Sequence, residues 1–346
     1  MGMLDNIKPH EVVADLFRYK ITFAGRPKSG KTSAVYKIAM QEFDGDLSKM
    51  LLIATERGYN ALRGIYAKDV QTWEEILELK DELIEGKDKV SFKVLAFDTV
   101  DELEKLATTY IIKKARRQDK KNYSTIGDIP WGNGYNMLED EVSTLLNDLD
   151  MAGYTLWFVT HDKDKKFETK DGLSYDKTIL SVGGRVGDIV KNTSDFIVFV
   201  ELTKEADDEG NIVDKRYIHL RGDGSLEAGG RFENLPNKIE YDIPNFISTL
   251  KDAIMKDGFD GDEDAMKEAL ERQSVEFEEK VERVSGEKQL SDLHEELGDI
   301  LGKLSATNKK KVAVDMKKIL GTLKYREVES QEEIESFINH VQENYA

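Results

Sequence analysis

The clearest chemistry in the chain sits in eight consecutive residues, Gly25-Arg26-Pro27-Lys28-Ser29-Gly30-Lys31-Thr32, a full match to G-x-x-x-x-G-K-[ST]. In such a loop the glycines let backbone N–H groups turn inward around phosphates. Lys31 is placed to reach the β- and γ-phosphates, and the Thr32 hydroxyl to bind Mg²⁺. Ser33 extends the binding set into the next element. The flanks fit this chemistry: Ile21-Thr22-Phe23-Ala24 is a β-like run, and residues 33–41 suit a helix whose N-terminus faces an anion. The implied cofactors are ATP and Mg²⁺.

Three later segments end in polar side chains where such a loop would need them. Val94-Leu95-Ala96-Phe97-Asp98 is an apolar strand ending in an acid that can hold Mg²⁺ directly or through water. Leu51-Leu52-Ile53-Ala54-Thr55-Glu56 ends in a carboxylate that can orient or deprotonate an attacking water. Leu156-Trp157-Phe158-Val159-Thr160-His161 ends in groups that can sense a γ-phosphate. Each alone is equally an ordinary polar strand end. Together they reinforce one another, because strand C-termini converge on the ligand crevice of an open α/β sheet.

The elements that must position these residues are legible in the hydrophobic pattern. β-type runs at 19–24, 50–55, 92–97, 155–160, 196–201 and 217–221 alternate with helical stretches. That alternation predicts an α/β fold with a mostly parallel central sheet. After about residue 260 the period becomes helical. Met266, Leu270, Phe277, Val281 and Val284 form one stripe; Leu290, Leu293, Leu297, Ile300, Leu301 and Leu304 form a second. Val312, Met316, Ile319, Leu320 and Leu323 predict a third helix. Ser330 with Glu333 is a capping box opening a last one, with Ile334, Phe337, Ile338 and Val341 on its face. Ser285-Gly286-Glu287 reads as a joint, which divides the chain into an ATPase domain (1–250), a helical linker (251–287) and a small acidic all-α C-terminal module (288–346).

Composition narrows the class. The 346 residues include no cysteine, which excludes disulfides, thiolate zinc, iron–sulfur clusters and cysteine nucleophiles. No apolar run approaches the ~20 residues needed to cross a bilayer, and Met1-Gly2-Met3-Leu4-Asp5 lacks a signal-peptide pattern, so no membrane partner and a cytoplasmic location are expected. Net charge is −18, which argues against nucleic-acid binding by bulk charge and leaves a local basic patch open. The last 96 residues hold 24 acids against 15 bases.

With these segments in order, the chain resembles the RecA-type recombinase ATPase core from about residue 15 to 245. More narrowly, it resembles the short phage-encoded RecA-like ATPases of single-strand annealing and recombination. The resemblance is carried by the phosphate loop, Ala54-Thr55-Glu56-Arg57-Gly58, Ala96-Phe97-Asp98-Thr99-Val100, Phe158-Val159-Thr160-His161, and Arg221 with the later Glu227-Ala228-Gly229-Gly230-Arg231-Phe232. AAA+ ATPases commonly carry the water-activating glutamate directly after the metal-binding aspartate; here Thr99 takes that slot and Glu56 lies on another strand. The resemblance implies Glu56 as the base, Asp98 as the Mg²⁺ partner and His161 as the γ-phosphate switch at the mouth of a DNA-facing loop. The tail after residue 260 lies outside it.

Lys113-Lys114-Ala115-Arg116-Arg117-Gln118-Asp119-Lys120-Lys121 is the densest basic run, followed by Tyr123 and Trp131. Cations beside exposed aromatics suit single strands: the cations track phosphates and the aromatics stack bases. The competing reading is a solvated helix end with a loop aromatic packed on the core. His161 is followed by Lys163, Lys165 and Lys166 interleaved with Asp162 and Asp164, then Gly172 and Gly183-Gly184, and this stretch reads as a long polar loop. The resemblance makes these two segments paired DNA-binding loops. Arg221, and behind it Arg231 and Arg185, are candidates to stabilise charge on the transferring phosphoryl group across a subunit boundary; a surface ion pair is the alternative for each.

The resulting expectation is a Mg²⁺-dependent, DNA-stimulated ATPase acting on single-stranded DNA in phage recombination, annealing or replication, assembled as a homo-oligomeric ring or filament in the bacterial host cytoplasm. The alternative is a nucleotide-gated loader with weak ATPase activity that docks another replication or recombination protein through its acidic tail. A small-molecule kinase fits less well, because no lid with clustered arginines is present.

Overall fold

Runs rich in β-branched and aromatic residues become strands buried on both faces, as parallel sheets require. The computed structural model describes residues 10–207 and 209–345, so the Met1–Asp5 segment lies outside the described residues. In chain order the first half holds β1 (Ile21–Ala24), α1 (Lys31–Glu42), β2 (Met50–Ala54), β3 (Tyr66–Asp69), α2 (Trp73–Glu85), β4 (Val94–Asp98), α3 (Val100–Asp119) and α4 (Asn133–Met151). Then come β5 (Thr155–Val159), β6 (Asp162–Glu168), β7 (Ser174–Leu180), α5 (Gly184–Thr193), β8 (Phe196–Ala206), β9 (Ile212–His219), β10 (Gly229–Gly230), β11 (Lys238–Glu240) and α6 (Ile243–Gly258). The helices α7 (Glu263–Lys303), α8 (Ala306–Ile319) and α9 (Gln331–Tyr345) follow.

A nine-stranded sheet runs β11-β9-β8-β1-β5-β4-β2-β3, with β10 on β8. The stretch from β3 to β8 is parallel; β9, β10 and β11 join antiparallel. Strand alternation divides the core between two layers. Leu51, Ile53, Leu95, Phe97, Leu156 and Phe158 face α2–α5, whereas Leu52, Ala54, Val94, Ala96, Trp157 and Val159 face α1 and α6. The polar side chain inside β1 is satisfied: Thr22 Oγ1 and Ser194 Oγ lie 2.7 Å apart, both buried.

Three expectations are corrected. The segment after His161 is not a loop but a two-stranded antiparallel hairpin, β6–β7, pairing Asp162 with Leu180 through Glu168 with Ser174. An exposed ribbon needs no apolar alternation, so hydrophobic periodicity could not reveal it. The boundary at 250 falls inside α6, whose Leu250, Ala253 and Ile254 are buried in the second core layer. Ser285-Gly286-Glu287 is no joint, because the α7 backbone is helical through it. One interior glycine costs about 1 kcal/mol, too little to stop a helix with apolar periodicity on both sides. The side chains of Val284 and of this triplet lie outside the described residues.

Two compact units result, 1–274 and 275–346. The first closes its end onto its beginning: Gln273 accepts from Ala14 N at 3.0 Å and donates to the Val12 carbonyl at 2.9 Å. The second has its own core of Leu297, Val312, Met316, Ile334, Phe337 and Val341. Ser330 Oγ caps α9 by accepting from Glu333 N at 3.3 Å. Among the described residues no helix is long and apolar enough to cross a membrane.

Candidate functional site

Four neighbouring parallel strands deliver the sequence-predicted groups to one edge. Ala54 is level with Asp98, Asp98 with Val159, and Val159 with Phe23, so the next residues of each strand emerge together. These are Thr55-Glu56, Thr99, Thr160-His161 and the Gly25–Thr32 loop.

The loop's glycines are structural necessities. Gly25 has φ +148°, and a Cβ there would lie 2.4 Å from the Val200 carbonyl oxygen. Gly30 has φ +110° and caps α1, whose first residue is Lys31. Lys31 is buried, and its Nζ donates to the carbonyls of Gly25 (2.7 Å) and Arg26 (3.0 Å), which holds the ammonium inside the loop. Burial pulls the Lys31 ammonium below its usual pKa, with Asp98, Asp162, Asp101 and Glu56 opposing that pull.

Thr32 Oγ1 donates to Asp98 Oδ2 at 2.8 Å. Asp98 is buried, and desolvation pushes its carboxyl above the usual range, although the Thr32 hydrogen bond works against that. A Cβ on Gly58 would stand 3.8 Å from Thr32 Oγ1 and 3.9 Å from Asp98 Oδ2, so the bare glycine leaves space over this pair. A hydroxyl and a carboxylate are hard oxygen donors, and the set fits Mg²⁺ completed by water and phosphate oxygens.

Glu56 is held from the neighbouring strand. Thr99 sits at the N-cap of α3, yet its hydroxyl makes no cap bond and instead donates to Glu56 Oε1 at 3.2 Å. Thr55 Oγ1 in turn accepts from Thr99 N at 2.8 Å and donates to its carbonyl at 3.0 Å. The slot after Asp98 thus positions a carboxylate supplied by the adjacent strand.

Sequence reasoning missed the hub of the site, Asp101. Its Oδ2 accepts from Thr160 Oγ1 and His161 N, each at 3.0 Å, and lies 3.5 Å from His161 Nδ1. Its Oδ1 accepts from Ser181 Oγ, just beyond β7. An acid in the first helical turn reads from sequence as a dipole partner, which hides this role. Arg26 does more than the phosphate-loop motif implies. Its guanidinium reaches β6, with Nη2 2.6 Å from Asp164 Oδ2 and Nε 3.4 Å from Asp162 Oδ1. Both ends of the hairpin are therefore fastened to the phosphate loop and its neighbours. Arg216 and Tyr241 were missed as well: the Tyr241 hydroxyl donates to the Gly30 carbonyl at 3.0 Å, and the Arg216 guanidinium lies 5.0 Å over the Tyr241 ring.

The hairpin register resolves the mixed charge of its sequence. Cross-strand partners share a face. Lys163, Lys165 and Phe167 pair with Ile179, Lys177 and Tyr175 on one side. Asp162, Asp164, Lys166 and Glu168 lie on the other, with Thr178 and Asp176. The first face holds three lysines and a stacked Phe167–Tyr175 pair at 5.8 Å, and no acid. Lys163 Nζ donates to the Ser181 carbonyl at 2.6 Å, and Lys165 lies 5.3 Å over the Phe167 ring.

The other expected DNA residues divide. Lys113, Arg117, Lys120 and Lys121 are exposed, as is Trp131 at 93 %, which stands out on a positive-φ backbone. Lys114 pairs with Glu141 at 3.3 Å, and Arg116 Nε donates to the Tyr123 carbonyl at 2.7 Å. Tyr123 is no stacking platform: it is buried, with its hydroxyl on Asp119 at 2.7 Å. Of the arginines, Arg221 is exposed on a cavity of about 690 Å³ that Arg26–Ser29 also line. Arg231 pairs with Asp195 at 2.8 Å and Arg185 pairs with Glu139.

The profile of the AAA domain family matches residues 18–232, the stretch that contains every group just described up to Arg231. The chain belongs to this family of P-loop ATPases. Its AAA domain lies on the α/β, mostly parallel sheet expected from the sequence. A similar protein is the SPbeta prophage-derived uncharacterized protein YorG of Bacillus subtilis, 24% identical over 250 residues, covering 69% of this chain and 72% of that one. Among solved structures, the KaiC-like protein PH0186 of Pyrococcus horikoshii matches 65% of this chain and 90% of its own at 13% identity and a TM-score of 0.34, a likeness too distant to add to the site.

Proposed function

We propose that this AAA-domain protein hydrolyses ATP and binds single-stranded DNA in a nucleotide-dependent way, in the recombination, annealing or replication of a phage or prophage. Gly25–Ser33 would cradle the phosphates, with Lys31 as the main charge partner. Thr32 and Asp98 would hold Mg²⁺, which neutralises charge on the transferring phosphoryl group. Glu56, fixed by Thr99, takes the proton of the attacking water, and His161, fixed by Asp101, reports on the γ-phosphate. Arg221 would act across a subunit boundary in a ring or filament.

The observation that carries the DNA half is the hairpin: the face toward Arg26 is acidic and tied to the phosphate loop, and its opposite face is cationic and aromatic. Lysines with stacked rings suit a strand's phosphates and bases together. The test is oligo-dT binding across a salt series for the full chain and the Lys163→Ala/Lys165→Ala/Lys177→Ala variant. Each phosphate that a lysine neutralises adds about 0.7 to the log–log salt slope on single strands. A flatter slope is expected for this variant and little change for Lys166→Ala. An unchanged slope in the triple variant moves the site to Lys113, Arg117, Lys120, Lys121 and Trp131. The separate C-terminal unit, with its own core, supports a loader or mediator reading as the second choice.

A further inference from the structure

The C-terminal unit is acidic in sequence, yet its middle helix is not. α8 holds five lysines (309, 310, 311, 317 and 318) and a single acid, Asp315, in a chain of net charge −18. That acid is turned to its own unit: Asp315 Oδ2 accepts from the Tyr345 hydroxyl at 2.6 Å and lies 2.9 Å from His340 Nε2. All five lysines are exposed, with Lys309 Nζ donating to the Gly302 carbonyl at 3.1 Å and the others left toward solvent.

α8 also presents a second, mixed face beyond the apolar one its own fold buries. Val312 and Met316 are buried in the unit's core. Lys310, Ala313, Val314, Lys317 and Lys318 follow the i, i+3, i+4, i+7, i+8 spacing of a second face. On that face Val314 is 68 % exposed, and Leu323, just beyond the helix, is 58 % exposed. Ala313, Val314, Lys317, Lys318 and Leu323 line a shallow groove of about 450 Å³. Lys317 and Lys318 are exposed, and Lys318 adds, after the Tyr345 and His340 hydrogen bonds, to holding the Asp315 carboxyl below its usual range.

We propose that this groove docks an acidic peptide segment bearing an apolar anchor, supplied by a partner protein. The lysines meet its carboxylates, and Val314 and Leu323 take the apolar side chain. Charge complementarity sets the sign of the partner, which is acidic although the unit's overall charge is acidic too. A nucleic acid fits less well, because the groove is aliphatic and bases stack on aromatic side chains. This inference is independent of the phosphate-loop chemistry.

The test uses the full chain and a fluorescein-labelled peptide of six aspartates followed by Leu-Phe with a free C-terminus. Saturable binding is expected, weakened when Leu-Phe is replaced by Ser-Ser. Lys317→Glu/Lys318→Glu should weaken it by about tenfold, since two attractions become repulsions. Val314→Ser, which leaves every charge in place, should weaken it several-fold. Affinity for a dT oligonucleotide should be the same in both variants and in the parent, and Val314→Ser, which keeps every helix charge, should also keep the melting temperature. No saturable binding, or binding indifferent to both variants, overturns the proposal. Loss of dT affinity in the lysine variant with peptide binding intact assigns the groove to nucleic acid instead.

Discussion

At the scale of single residues, the site depends on carboxylates whose surroundings differ. Asp98 is buried and its carboxyl pushed above the usual range by desolvation, which suits a group that ends beside a cation. Glu56 is half-buried and held by one hydroxyl, which suits a group that must exchange a proton. Glu56→Gln is expected to keep ATP bound and slow hydrolysis by at least ~10²-fold, the loss typical of a missing general base. Thr99→Val should lower kcat with little change in nucleotide affinity, because it frees Glu56 without touching the loop. Wild-type turnover in Glu56→Gln would remove that residue from the chemistry. The loop, Asp98, Glu56 and His161 were legible because motif spacing and strand ends are local properties. Asp101, Thr99 and Arg216 were not, because each acts through a partner distant in sequence. Tyr123 misled for a different reason: its partners Asp119 and Arg116 are local, but the basic run reads as a solvated helix end and hides the turn that folds the ring back onto α3.

At the scale of elements, the parallel strands were legible as apolar runs, and the hairpin was not. Its period-two signal lies in charge sign, with Lys163 and Lys165 alternating with Asp162 and Asp164. β3 was missed too, because its Tyr66-Ala67-Lys68-Asp69 sequence is half-exposed and carries no apolar run. Arg26 ties the hairpin to the nucleotide loop, and under the proposed function this tie would couple nucleotide state to DNA binding. Asp164→Asn breaks the 2.6 Å ion pair on the face opposite Lys163, Lys165 and Lys177. The gap between ATP-bound and nucleotide-free affinities for oligo-dT should then shrink by several-fold, as measured by anisotropy with a non-hydrolysable ATP analogue. An undiminished gap would place the coupling on His161 and Asp101 alone.

At the scale of the whole molecule, the division between the two units falls within the residues of α7, and the first unit ends where Gln273 fastens it to the N-terminal segment. A helical tail was legible from its stripes, whereas the position of the division was not, because Gln273 bonds to Val12 and Ala14 across most of the chain. Ending the protein after Ser285 should leave nucleotide affinity and the melting temperature of the first unit intact. Ending it after Asp260 removes the Gln273 bonds and should lower that melting temperature by several degrees; equal melting of the two would show that these bonds hold nothing. The central claim joins both halves of the site, ATP turnover and single-strand binding. The direct test is the steady-state ATPase rate of the full chain with and without oligo-dT at low salt. The rate should rise several-fold with DNA, and the rise should disappear in Glu56→Gln and shrink in the Lys163→Ala/Lys165→Ala/Lys177→Ala variant. A turnover rate that is the same with and without DNA would contradict the account.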